Sequence, residues 1–341
     1  MNTLGRIFRV SVFGESHGES VGVSIDGCPA GLPVNVQDFH TDIERRKGGQ
    51  QKGTTPRKED DLPLFKSGIF NGKTTGAPIT ILFENNNTRS GDYEKQRAVP
   101  RPGHADFVAS KKFGGYEDFR GGGHFSGRLT VALVAAGVIA KKLLAAVPAA
   151  GQPSIQVAAS ITEIAGEADP EKGLQKAIDA KDSVGGIVAC SVQGLPLGLG
   201  EPFFDSVESV LSHAVFAIPA VRGIEFGTGF AAARMFGSEH NDAIEDMSGK
   251  TKTNHAGGIV GGITNGNELL FRIAIKPTSS TPKEQQTLNW QTGETEAFSV
   301  RGRHDLCIAL RVPVVLEAVT ALVLADFMLL EQRMERIAAS R

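Results

Sequence analysis

The sequence predicts an α+β fold, with antiparallel sheet packed by helices in one large domain. Three observations carry that prediction. Runs with strand and helix character follow one another in mixed order, without the regular alternation of a parallel βαβ fold. Two helical segments, Arg128–Ala146 and the run from Pro313, are apolar nearly all round, as helices buried on every side are. No strong repeat and no linker divides the 341 residues, a length that would otherwise allow two domains.

From the N-terminus, a strand is expected near Arg6–Phe13, then the turn Gly14–Gly18 and the alternating run Val21-Gly22-Val23-Ser24-Ile25. Val36, Phe39 and Ile43 fall at i, i+3 and i+7 and make one helical stripe. That helix delivers Arg45 and Arg46 to its C-terminal end, where cations suit the dipole. Residues 45–58 form a basic, glycine-bearing loop, and Ile79–Phe83 a strand. Glu84–Gly127 has little regular pattern beyond a short helix around Ala105–Phe113; an irregular stretch of that length is usually functional or mobile. Ser126 is placed to cap the helix Arg128–Ala146.

Strand-like runs recur at Ile155–Ile164, Gly186–Val192, Val221–Phe226, Gly257–Ile263 and Leu269–Ile275. Between them Asp169-Pro170 opens a helix at about 170–180, and Asp205-x-x-Glu208 reads as the capping box of another at about 206–217. The longest apolar run, Val312–Leu330, contains Glu317 and Asp326 and reads as a buried helix, not a membrane span.

Composition narrows the function classes. A net charge of −2 gives no electrostatic reason to expect a nucleic-acid or membrane partner. Cys28, Cys190 and Cys307 are odd in number and far apart, so neither a disulfide framework nor a thiolate metal site is expected. A reducing cytoplasm suits that usage, and Arg6 and Arg9 are not followed by the apolar stretch of a signal peptide.

The chemistry concentrates where histidines meet glycine and arginine. The clearest segments are Gly14-Glu15-Ser16-His17-Gly18, Arg101-Pro102-Gly103-His104-Ala105-Asp106, Arg120-Gly121-Gly122-Gly123-His124-Phe125-Ser126-Gly127-Arg128 and Arg301-Gly302-Arg303-His304-Asp305. Glycines let backbone approach a ligand, and arginines hold anions. The three successive glycines before a helix start can aim backbone N–H groups at an anion, although no Gly-Lys-Ser/Thr closes a Walker A loop. His17 reads as a general acid or phosphate contact, because adjacent Ser16 and His17 rarely face each other as a nucleophile pair; a structural turn is the alternative. His104 suits proton transfer, with a surface loop of incidental charges as the alternative for Arg101–Asp106. Lys276-Pro277-Thr278-Ser279-Ser280 supplies an ammonium and three hydroxyls, a cradle for a phosphate or ribityl chain. Asp305 is equally readable as a base or as the partner of an arginine. The Asn254–Gly262 run could lay backbone against a flat ring or simply pack closely. No metal site is expected, since no two histidines stand at i, i+4 or beside acidic ligands in a known spacing.

In this order along the chain, Phe13–Gly18, Arg101–Asp106, Gly229-Phe230 with Gly237-Ser238-Glu239-His240-Asn241-Asp242, Asn254–Gly262, Lys276–Ser280 and Gly302–Asp305 resemble the chorismate synthase family. The resemblance implies a sandwich of antiparallel sheets and helices assembled as a homotetramer. It implies conversion of 5-enolpyruvylshikimate 3-phosphate to chorismate and phosphate, a 1,4-elimination without net redox change that nevertheless requires reduced FMN. NADPH is the flavin's reductant in some members.

By the same resemblance His17 acts on the leaving phosphate, His104 holds a proton near the reduced flavin, and Asp305 assists deprotonation around flavin N5. Arg45, Arg101 and Arg128 would bind the substrate. Arg46, Lys52, His124, Phe125, Ser126, Ala220, Gly261, Lys276, Pro277, Thr278, Ser279, Ser280 and Arg303 would serve the cofactors. The chain departs from the family at His124–Thr130, where Arg-Ser-Ser-Ala-Arg-Glu-Thr is usual, at Lys52 in place of an arginine, and at Pro219 in place of a frequent asparagine. Flavin contacts at 124 and 125 should therefore rest on backbone. Two other classes compete: a nucleotide-using phosphotransferase, against which the missing Walker A loop counts, and an RNA-binding module on Arg45–Lys58, which the balanced charge disfavours.

Overall fold

Two antiparallel sheets face each other across a pair of long apolar helices. The computed structural model describes residues 2–49, 52–55, 59–86, 97–146, 154–300 and 304–332. In chain order the elements of the first half are β1 (Thr3–Leu4), β2 (Arg9–Gly14), β3 (Ser20–Asp26), α1 (His40–Arg46), β4 (Leu64–Ser67), β5 (Ile69–Phe70), β6 (Lys73–Thr74), β7 (Ile79–Glu84), α2 (Asp106–Phe113) and α3 (Thr130–Ala146). The second half continues with β8 (Gln156–Ile164), α4 (Pro170–Ala180), β9 (Gly186–Gln193), α5 (Val207–Val215), β10 (Val221–Phe226) and α6 (Gly237–His240). Then come β11 (Ile259–Val260), β12 (Ile263–Thr264), β13 (Leu269–Ile275), β14 (Gln285–Leu288), β15 (Thr295–Phe298) and α7 (Val312–Gln332).

The first sheet runs β1-β2-β3-β7-β4 and the second β10-β13-β9-β8. Alternation in the sequence sets which face is buried. Val21, Val23 and Ile25 pair with Phe83, Ile81 and Ile79, and all six are fully buried on the face that packs against α3. In the second sheet Val188, Cys190 and Val192 pair with Ile273, Phe271 and Leu269, again buried, and α7 covers β8 and β9. The two helices pack on each other closely enough that a Cβ at Gly137 would lie 2.3 Å from Ala318 Cβ. The buried apolar residues of both sheets and both helices form one continuous core.

The two charges inside the apolar run of α7 have partners. Glu317 accepts two 2.7 Å hydrogen bonds from Arg45, one of 2.8 Å from Lys141 and one of 3.0 Å from the Ala159 N–H. Asp326 accepts three backbone N–H groups, from Arg6, Ile7 and Phe8, at 2.7–2.9 Å. Both carboxylates thereby fasten α7 to its neighbours. α3 and α7 are long and apolar enough to cross a membrane, and most of each is buried inside the protein.

Three expectations change. Asp205 is not the cap of α5: it pairs with Arg6, while Ser206 accepts the Ser209 N–H at 3.1 Å. The helix expected from Arg128 opens as a 3₁₀ turn over Gly127–Leu129 and becomes α-helical at Thr130. Gly257–Ile263 is a tight hairpin of two-residue strands, not one strand, and a Cβ on Gly257 would meet Gly227 N at 2.4 Å. That glycine run therefore packs on the chain's own backbone.

Candidate active site

A cavity of about 780 Å³ opens between β2, α3, α5 and α7 and is closed by loops from both halves of the chain. One wall of it is formed by Gly121, the first residue of the ribbon Gly121–Gly123. All three glycines have φ between +52° and +83°, and they lie between two histidines. A Cβ at Gly121 would stand 2.5 Å from His17 Nε2, and one at Gly122 would stand 3.3 Å from His104 Nε2. Only glycine permits that approach together with that conformation. The Ser16 N–H donates to the Gly123 carbonyl at 3.1 Å and locks the His17 turn to this ribbon.

His104 has a defined orientation. Its Nδ1 is 2.5 Å from Asp106 Oδ1, so Nδ1–H donates to the carboxylate and Nε2 is turned toward Gly122. Arg101 grips the same carboxylate through Nε at 2.7 Å and Nη2 at 2.8 Å. Burial would raise the Asp106 carboxyl, but these bonds outweigh it and hold the group well below the usual carboxylate range. Arg101 also donates to Ser280 Oγ at 3.3 Å, and Lys276 Nζ and Ser279 Oγ both donate to the Gly103 carbonyl, at 2.7 and 2.8 Å. The Lys276–Ser280 loop is thus tied directly to the His104 loop.

Beneath these residues lies a buried charge cluster. Arg46 is 3.2 Å from Asp61 and donates to Thr130 Oγ1, the Gly127 carbonyl and the Arg128 carbonyl. Arg128 bonds the other Asp61 oxygen, Asn85 Oδ1 and the Glu84 carbonyl. Burial, then the charge of Arg311, pulls the Arg46 pKa down to about 9, which leaves it cationic at neutral pH. Asp305 is bound rather than free: it accepts the Thr55 N–H at 2.9 Å and Arg311 Nη1 at 3.1 Å. Two buried polar atoms in the cavity wall, His304 Nε2 and Thr278 Oγ1, have no hydrogen-bond partner among the described residues. Burial, then the charge of Arg101, pushes the His304 pKa down and favours its neutral imidazole.

The structure gathers His17, Arg46, Arg101, His104, His124, Phe125, Ser126, Arg128, Ala220, Lys276, Pro277, Thr278, Ser279, Ser280 and Asp305 around the one cavity. His124 faces structure as well as solvent, donating from Nδ1 to the Gly14 carbonyl at 2.9 Å. Three expected residues lie elsewhere in the chain. Arg45 is committed to Glu317 on the far side of α1, Lys52 Nζ reaches Gln175 at 3.3 Å, and Gly261 forms the tip of the β11–β12 hairpin. Arg303 falls outside the described residues, as do Arg57 and Lys58 of the basic loop. Sequence reading missed Asp61, Arg222 and Arg311, and gave no role of its own to His304 within the Arg301–Asp305 segment. Asp61 ends the acidic run Glu59-Asp60-Asp61 next to the basic loop, which was the available signal. Among the described residues no cluster of three His, Cys, Asp or Glu side chains could hold a metal ion.

Seven Lys and Arg side chains line the cavity against three carboxylates, Glu59, Asp61 and Asp305, so it favours anions. With His17 and the Asp106-oriented His104 in its wall, this two-sheet α+β sandwich is built for acid–base chemistry on an anionic substrate. The comparisons take that class to a family. The chain matches the chorismate synthase family model over residues 8–329 and belongs to that family of lyases. It is 73% identical over 337 residues to the chorismate synthase of Chitinophaga pinensis, with 99% of each chain covered. It is 44% identical to that of Dehalococcoides mccartyi, covering 96% of each chain. A crystal structure of a chorismate synthase superposes with a TM-score of 0.70 at 25% identity, covering 96% of this chain and 93% of the other.

Proposed function

We propose that the cavity carries out the family's elimination, converting 5-enolpyruvylshikimate 3-phosphate to chorismate and inorganic phosphate, with reduced FMN as cofactor. The C3–O bond to phosphate breaks, a proton leaves C6, a second ring double bond forms, and no electrons are consumed overall. The observation that carries the reading is the glycine ribbon with His17 on one side and His104 on the other, inside a wall rich in cations.

The residues fit a flavin phosphate and ring. Lys276 and Ser279 converge on the Gly103 carbonyl, and Thr278 Oγ1 and His304 Nε2 are buried polar atoms that a ligand would satisfy. Lys276–Ser280, Ala220 and the 124–126 backbone would hold it. When bound, reduced flavin supplies transient electron density and a basic N5. His17 donates a hydrogen bond or proton to the leaving phosphate. His104, oriented by Asp106, holds a proton beside the flavin. Asp305, held by Arg311 and Thr55, would assist deprotonation of the bound cofactor. Arg101 and Arg128 face substrate anions, each charge-assisted contact contributing roughly 1.5–3 kcal/mol before desolvation. NADPH is the candidate reductant for the flavin.

A homotetramer in the cytoplasm completes the reading. Phe230, Phe236, Ile244 and Met247 are all largely exposed within one stretch, as residues awaiting a partner copy are. Nucleic acid and membranes have no part in it. The deciding experiment is anaerobic turnover of 5-enolpyruvylshikimate 3-phosphate with chemically reduced FMN, followed by chorismate absorbance. Product that vanishes when FMN is omitted or left oxidised supports the assignment; folded protein that makes none overturns it.

A further inference from the structure

The loop that carries His104 has a second face. A cavity of about 40 Å³ lies behind it, and Arg101, His104, Ala105 and Phe125 line both this space and the large cavity. The charged side chains that border the small cavity are Arg97, Arg101, Asp106, Glu117 and Asp118. Four of them are committed. Arg101 holds Asp106 through bonds of 2.7 and 2.8 Å. Asp118 is gripped by Arg120 through Nε and Nη2, both at 2.8 Å. Arg97 lies 4.8 Å over the Phe119 ring and donates to the Gly115 carbonyl at 3.2 Å. Glu117 Oε2 is buried and has no hydrogen-bond partner among the described residues.

Two physical demands meet in this space. A buried carboxylate oxygen without a partner is costly, and a polar space of this size has room for roughly one or two waters. The charge count also asks for a second carboxylate. Arg101 already compensates Asp106, and its Nη2 is 3.0 Å from His104 Nδ1. A proton on His104 therefore sets two cations against one carboxylate. From the large cavity, Lys276 reaches the Gly103 carbonyl, and His304 lies close enough to feel the charges of Arg101 and His104; neither is anionic. Asp305, next to His304, is bound to Arg311. Glu117 is the carboxylate left to supply the missing charge.

We propose that Glu117 is a positioning residue for His104: its carboxylate, joined through water in the small cavity to the Arg101–Asp106–His104 group, holds the proton on the imidazole. This rests on the function proposed above, in which His104 keeps a proton. The structure supplies the probe. Trp290, the chain's one tryptophan, lines the same small cavity, and a nearby imidazolium quenches indole emission. Its emission is followed in flavin-free protein over roughly pH 5 to 8. His104→Gln, which lacks the titrating ring, identifies the part of the transition that belongs to His104. Glu117→Gln keeps the shape and removes the charge. It should move that midpoint, and the alkaline limb of kcat, to lower pH by about one unit with KM unchanged. Glu117→Asp, which keeps the charge, should return both toward wild type. Displacement of either readout in Glu117→Gln but not in Glu117→Asp supports the proposal. Two readouts that stay in place in Glu117→Gln overturn it, as does an equal displacement in Glu117→Asp, which would make shape and not charge the cause. Emission is read without substrate, so a wild type that makes no chorismate removes the proposed function, while the midpoint still decides the coupling of Glu117 to His104.

Discussion

At the level of single residues, His17, His104 and Asp305 are distinguishable by what each would lose. His17→Ala should cut kcat by roughly 10²–10⁴-fold while circular dichroism stays native; undiminished turnover would remove it from the mechanism. Asp305→Ala should lower kcat more than it raises KM, whereas equal effects on both would point to a structural pair with Arg311. His304 gives a pH signature. Its folded-state pKa is lowered, so the folded protein prefers the neutral ring, and stability is present above the unfolded value near 6.5 and declines as pH falls below it. Denaturant melts at pH 7 and pH 5 should show that loss in wild type and less of it in His304→Gln; an equal loss in both would assign it to other groups. Much of this site was legible in the sequence, because His17, His104 and the three glycines that separate them announce themselves by local composition. Asp61 and Arg311 did not, since each acquires its meaning from partners brought together by folding: Asp61 from Arg46 and Arg128, Arg311 from Asp305.

Among the elements, the helices and long strands were readable because their burial pattern is written in their period. β10 and β13 have the ends expected of them, and α7 begins one residue before Pro313. The short pieces were not, since β4–β6 and the β14–β15 hairpin are too brief or too exposed to show a pattern. The cap of α5 was misread by one position because Asp205 and Ser206 are both good capping residues, and the distant Arg6 recruits Asp205. The α3–α7 contact makes a stringent prediction. Gly137→Val should force the helices apart and destabilise the fold by about 1–3 kcal/mol or more, read as a lower urea midpoint. An unchanged midpoint would mean that the helices do not meet at Gly137 and Ala318.

For the whole molecule, the exposed Phe230, Phe236, Ile244 and Met247 set an expectation about assembly. Sedimentation equilibrium should give the mass of four chains, and Phe230→Asp combined with Phe236→Asp should reduce it. A wild-type monomer would end the tetramer reading. The arrangement of the cavity has a further consequence. One peptide ribbon, Gly121–Gly123, stands between the imidazoles of His17 and His104, and it carries no titratable side chain. It is a thin partition with one ring close against Gly121 and the other close against Gly122. A side chain on either of its first two glycines would thicken it, so Gly121→Ala should displace the His17 ring and Gly122→Ala should press on His104, each read as lost turnover by folded protein; full activity in both would mean that the rings do not rest on the ribbon.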